Sequence, residues 1–86
     1  MTAVHLRALE LTQDGQWDEA HRLVQSGSDR FSCLIHGYLH RVEGDLWNAR
    51  YWYDRAGEAM PDNSLQAEWQ RLCDLLVGPS APRGAG

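Results

Sequence analysis

Lysine is absent from the 86 residues, and the eight basic side chains are all arginine. Twelve Asp and Glu outnumber them, giving a formal net charge of −4, so a nucleic-acid partner recognised through a basic surface is not expected. Only two cysteines occur, Cys33 and Cys73, too few for a disulfide framework; they read as reduced thiols of a cytoplasmic protein. No apolar run approaches the ~20 residues of a membrane span, and residues 1–11 lack a basic start followed by an apolar signal region, so no membrane partner is expected. Gly-x-Gly-x-x-Gly, Cys-x-x-Cys and a workable Ser-His-Asp order are missing too, and the chain reads more as a binding protein than as an enzyme. What is present is ordinary globular composition, 43% hydrophobic and 23% charged, at the length of one small domain.

Turn-forming junctions divide the chain into five helix-length pieces. Thr2 is positioned to cap a first helix over residues 3–13, which stops before Asp14-Gly15. A second spans residues 17–26, with Trp17, Ala20, Leu23 and Val24 on one stripe and Gly27 as its end. Ser28 or Asp29 caps a third over residues 30–43, where Phe31, Leu34, Ile35, Tyr38, Leu39 and Val42 recur at three- and four-residue steps before Gly44. The fourth is expected over residues 45–60, stopped by Pro61. Asn63 and Gln66 resemble a capping box opening a fifth over residues 64–77, with Leu65, Trp69, Leu72 and Leu76 on its apolar face. No strand-like alternation competes, so the fold class is all-α. Residues 1–77 form the expected helical domain, and residues 78–86, small and proline-rich, read as a disordered tail.

A shift of 29 residues lays Gly15 on Gly44, Ala20 on Ala49, Val24 on Tyr53 and Ala8 on Gly37. With Gly37, Gly44, Ala49, Tyr53, Ala56 and Pro61 in these places, the chain resembles the tetratricopeptide repeat in a short variant. The stretch GDLWNARYWYDRAG carries the same likeness, which covers residues 3–62. The resemblance implies two stacked antiparallel helical hairpins with residues 64–77 as a capping helix, and a module that binds a protein or peptide. Small residues at Gly37 and Ala49 let paired helices approach closely. The period is shorter than the family's usual length, and Cys33, His36 and His40 occupy first-helix positions where the family has large apolar groups.

Those substitutions open a second reading. On helix three, Cys33, His36, Gly37, His40 and Glu43 lie opposite the apolar centre, and Gly37 is expected to face helix four, so the imidazoles lie near that contact. Buried imidazoles need partners, which Asn48, Tyr51, Arg55 and Glu43 are placed to supply. A hydrogen-bonded structural cluster is the ordinary outcome. The alternative is a divalent transition-metal site using His36, His40 and Glu43, with His21 reaching across from helix two and Asp14, Asp45 or Glu19 behind the ligands. His-x-x-x-His alone is common in helices, and Gly37 stands where a zinc-protease motif needs Glu. Cys33 one turn before His36 suggests a Cys–His pair, but no oxyanion-stabilising group accompanies it.

Trp17, Phe31, Tyr38, Trp52, Tyr53 and Trp69 fall on apolar stripes and are expected in the core. Trp47 and Tyr51 lie one turn apart on the opposite side of helix four beside Arg50 and Asp54, a composition favoured at protein interfaces. Trp47, Arg50 and Tyr51 are therefore the candidate interaction surface, for another protein or for a second copy in a homodimer. Arg22, Arg50 and Arg55 are expected to pair with Asp18, Asp54, Glu19 or Glu58.

Overall fold

The computed structural model describes residues 2–78. Five α-helices follow one another: α1 (Thr2–Gln13), α2 (Trp17–Val24), α3 (Arg30–Glu43), α4 (Leu46–Arg55) and α5 (Leu65–Val77). No strand occurs among the described residues, and the protein is all-α as its periodicities require. The expected tail lies outside the described residues apart from Gly78, the C-cap of α5.

α3 is the central element, touching all four other helices; α1 pairs with α2, and α5 rests on α1 and α3. Its nine residues from Ser32 to His40 are consecutively buried, as expected of a helix walled in on every side. The sequence divides α3 into an apolar and a polar face, and the fold encloses both. Leu34, Ile35, Tyr38 and Leu39 join Leu9, Val24, Tyr53 and Leu72 in the core, while Cys33, His36 and His40 are buried towards α2 and α4. Gly37 meets α4 as its register implies: a Cβ there would stand 2.8 Å from the Tyr53 ring and 3.1 Å from the Ala49 carbonyl oxygen.

Three helices stop by one device. Beyond α1, α3 and α4, Gly15, Gly44 and Gly57 take φ of +78°, +88° and +88°, conformations that glycine adopts without strain. The next amide then folds back, Gln16 N–H to the Leu11 carbonyl, Asp45 N–H to that of His40, and Glu58 N–H to that of Tyr53. This corrects the expected extent of the fourth helix: Gly57, not Pro61, ends it, and α4 stops at Arg55. α2 likewise ends at Val24, two residues before the expected Ser26. Asp29 caps α3 by accepting the Ser32 N–H at 3.0 Å, one of the two alternatives the sequence offers. Ser64, rather than Asn63, caps α5 by accepting the Ala67 N–H at 3.0 Å.

Two tryptophans tie helices together through backbone oxygens. Trp17 Nε1 donates to the Leu39 carbonyl of α3 at 2.7 Å, and Trp69 Nε1 donates to the Leu9 carbonyl of α1 at 2.8 Å. No helix among the described residues is long and apolar enough to cross a membrane.

Candidate functional site

His21 projects from α2 toward His36 and His40, which stand one turn apart on α3. His21 Nε2 and His36 Nε2 are 3.0 Å apart. The His21 ring meets His36 edge-on at a centroid separation of 4.6 Å and His40 at 5.4 Å, and the His36 and His40 rings lie 5.0 Å apart. One nitrogen from each of the three lies within 4.8 Å of the others. Flat aromatic walls fix two of the rings: Trp17 stacks on His21 at 4.8 Å, and Trp52 stacks on His36 at 3.9 Å. Trp17 is itself held by its bond to Leu39, so the α2–α3 contact positions the His21 ring as well as the helix.

His40 is oriented by Glu43, whose Oε2 lies 2.7 Å from its Nδ1, leaving Nε2 as the nitrogen it can offer elsewhere. Glu43 thus stands behind His40 rather than converging with His21 and His36. Of the partners expected for the imidazoles, only Glu43 serves. Asn48 binds Asp45, which caps α4; Tyr51 and Arg55 bind each other; Glu19 pairs with Arg22 at 3.3 Å.

Burial, reinforced by the neighbouring His21 and His40, lowers the His36 pKa from 6.5 to about 4. Burial and His40 also lower that of His21, against the opposing influence of Glu43 and Asp18. Both rings are therefore neutral near pH 7, and their 3.0 Å contact requires one Nε2–H and one Nε2 lone pair. His36 Nδ1 is buried without a partner. An orphaned lone pair is less costly than an orphaned N–H, which favours the tautomer in which His36 Nε2–H donates to His21.

A second polar cluster, unforeseen from the sequence, lies between α3, α4 and α5. Glu68 is fully buried, and its two oxygens accept hydrogen bonds from Tyr53 Oη at 2.8 Å, Asn63 Nδ2 at 2.9 Å, and Arg71 Nε and Nη2 at 2.8 and 2.9 Å. Burial works to raise its pKa, but the bonds from Arg71, Asn63 and Tyr53 outweigh it and hold the carboxyl below its ordinary range. Arg41 grips the Asn63 side chain at 2.8 Å and also its carbonyl, while Glu58 bridges Arg71 and Arg30, each at 2.8 Å. The sequence signal for this cluster is Glu68 one turn before Leu72 on the buried stripe of α5, with Arg71 three residues on.

Neither cysteine is activated as a nucleophile. Burial raises the Cys33 thiol pKa, and that of Cys73 is raised by the same cause, so both favour the unreactive thiol. Ser32, His5 and Asp29 do meet, but Ser32 Oγ and Asp29 Oδ2 share one nitrogen, His5 Nε2, at 3.1 and 3.0 Å. A triad needs the carboxylate on the opposite ring nitrogen, and His5 Nδ1 is buried without a partner. The cluster instead secures the start of α3 to α1.

The outer side of α4 is different in kind. Trp47 is 84% exposed and Tyr51 51% exposed, and with Arg50 and Asp54 they line a shallow hollow of about 210 Å³. Arg55 covers the other edge of Tyr51, donating to its hydroxyl at 3.0 Å. Arg50 and Asp54 form no ion pair with each other or with another described residue, so the expected pairing is absent there. Comparison with known proteins finds no matching family model, no matching curated protein and no matching solved structure.

Proposed function

We infer that the protein is a non-catalytic helical-repeat module, similar to the tetratricopeptide repeat, that binds a protein or peptide through Trp47, Arg50 and Tyr51. The observation that carries this reading is Trp47. A large aromatic that is 84% exposed gains nothing from the fold, whereas covering it would remove substantial apolar surface from water. Trp, Tyr and Arg together are the residues that dominate binding energy at protein interfaces. The face also carries one cation and one anion without internal partners, and a two-fold pair that set Arg50 of each copy against Asp54 of the other would satisfy both. A second copy of the chain is accordingly the first partner to test.

Sedimentation measurements over a concentration series test it. The parent is expected to associate reversibly, Trp47→Ser with Tyr51→Ser to be monomeric, Arg50→Asp to be weakened, and Arg50→Asp with Asp54→Arg to regain association. A parent that stays monomeric rejects the second copy as occupant. A peptide-array profile unchanged by the Trp47→Ser/Tyr51→Ser pair then rejects this face as the binding surface.

A further inference from the structure

Beyond the binding face on α4, we propose that His21, His36 and His40 form a three-histidine site for a divalent transition-metal ion of the zinc class. Four features of the cluster support this assignment independently of that face.

The first is its origin in tertiary structure. His36 and His40 share a helix, and such a pair alone means little. His21 comes from α2, fifteen residues earlier, and its Nε2 reaches to 3.0 Å from that of His36. The second is scale. Tetrahedral zinc with nitrogens at 2.0–2.1 Å sets its ligand atoms about 3.3 Å apart. His21 and His36 already stand near that separation, and all three donors fall within 4.8 Å, so closing on an ion asks at most about 1.5 Å of approach from His40.

The third feature is orientation. Metal-bound imidazole is steered by a carboxylate or carbonyl on its other nitrogen, and Glu43 at 2.7 Å holds His40 Nδ1 in that way. Trp17 and Trp52 lie flat against His21 and His36, so the remaining two rings are held in plane by stacking. The fourth is the poor self-sufficiency of the cluster. Three imidazoles are gathered together with one carboxylate and one mutual hydrogen bond among them. A divalent ion would use three lone pairs at once, and an all-nitrogen donor set selects zinc, cobalt, nickel or copper over magnesium and calcium. Three protein ligands also leave one coordination position for water. Binding through His36 Nε2 moves that ring's proton to Nδ1, so no proton is lost, but coordination must outweigh the cost of a buried N–H without an acceptor.

The test is a titration of untagged, demetallated protein with Co²⁺, followed by displacement with Zn²⁺. A saturable visible absorption band at one ion per chain, abolished by Zn²⁺, is expected. His36→Leu and His40→Gln should each weaken Co²⁺ binding at least ~100-fold. Glu43→Gln, at the exposed edge of the cluster, should weaken it about 10–100-fold with the fold retained by circular dichroism. The proposal is overturned if folded parent protein gives no saturable band, or if Glu43→Gln and either folded histidine variant bind Co²⁺ as the parent does.

Discussion

Of the buried polar clusters around α3, those of Glu68 and of the three histidines His21, His36 and His40 are finished to different degrees. On the side of α4 and α5, both oxygens of the Glu68 carboxylate are occupied and its donors are fixed by further partners. On the side of α2 and α4, three imidazoles meet with a single carboxylate between them, and His36 Nδ1 has no partner. A buried polar group is tolerated when it is satisfied, and a satisfied network rigidifies the fold around it. The difference separates a network satisfied within the chain from a cluster that keeps imidazole nitrogens close together, the cluster proposed above as a metal site.

The strongest way to break this comparison is to remove Glu68. Glu68→Leu strands the Tyr53 hydroxyl and the Asn63 amide and leaves Arg71 with Glu58 alone, so a loss of about 3–5 kcal/mol is expected by urea denaturation. A neutral result would place Glu68 outside the structural framework.

Acid should separate the clusters by pH. The His36 pKa is lowered from 6.5 to about 4 in the folded state, so the unfolded chain binds the proton first as pH falls. Metal-free protein should therefore lose stability between about pH 6.5 and pH 4, by roughly 3 kcal/mol in total. The Glu68 pKa is also lowered, from 4.5; its contribution is complete above that value and disappears as pH falls through the folded pKa. Melting curves across this range should show the histidine step first, and His36→Leu should shrink that step, leaving the smaller contribution of His21 and the Glu68 step in place.

Gly37 tests how closely α3 and α4 are locked. Its missing side chain leaves room for Tyr53, and that ring is anchored by Glu68 and cannot withdraw freely. Gly37→Leu should lower stability by about 1–3 kcal/mol or more. Gly37→Ala should lower it too, because a Cβ 2.8 Å from the ring offsets the ~1 kcal/mol gained in helix propensity. The smallest effect is expected at the α4 surface, where Trp47→Ser with Tyr51→Ser, measured at concentrations below those at which the parent associates, should leave the thermal midpoint within about 0.5 kcal/mol equivalent of the parent.

Much of this architecture is legible in the residues. Asp29 and Gly44 bracket α3 at both ends because a capping side chain and a left-handed glycine are local signals. The exposure of Trp47 and Tyr51 follows from helical phase, and so does the facing of Gly37 toward α4. The reach of His21 to α3 is also readable, since it borders the stripe of α2 that packs there. What escapes depends on partners distant in sequence. The end of α4 is set by Gly57, whose signal is weaker to the eye than that of Pro61 four residues on. Asn63 looks like a cap but is recruited by Arg41 and Glu68, leaving Ser64 to cap α5. The Glu68 cluster draws on α3, α4 and α5 at once, and no helical periodicity shows that convergence. The role of Glu43 is half legible: its spacing from His40 gives the contact, but only the fold shows that it stands behind the ring.

Thermal melting of demetallated, untagged protein with and without Zn²⁺, alongside His36→Leu under the same conditions, addresses the contrast most directly. At a hundredfold excess over the dissociation constant, a bound ion stabilises the folded state by about 2.7 kcal/mol, several degrees or more for a chain of this size. The account predicts that Zn²⁺ raises the parent's midpoint, and that His36→Leu matches or exceeds the metal-free parent while losing the response to Zn²⁺. A parent indifferent to Zn²⁺, with His36→Leu less stable than the metal-free parent, would contradict it and make the histidines a second structural network like that of Glu68.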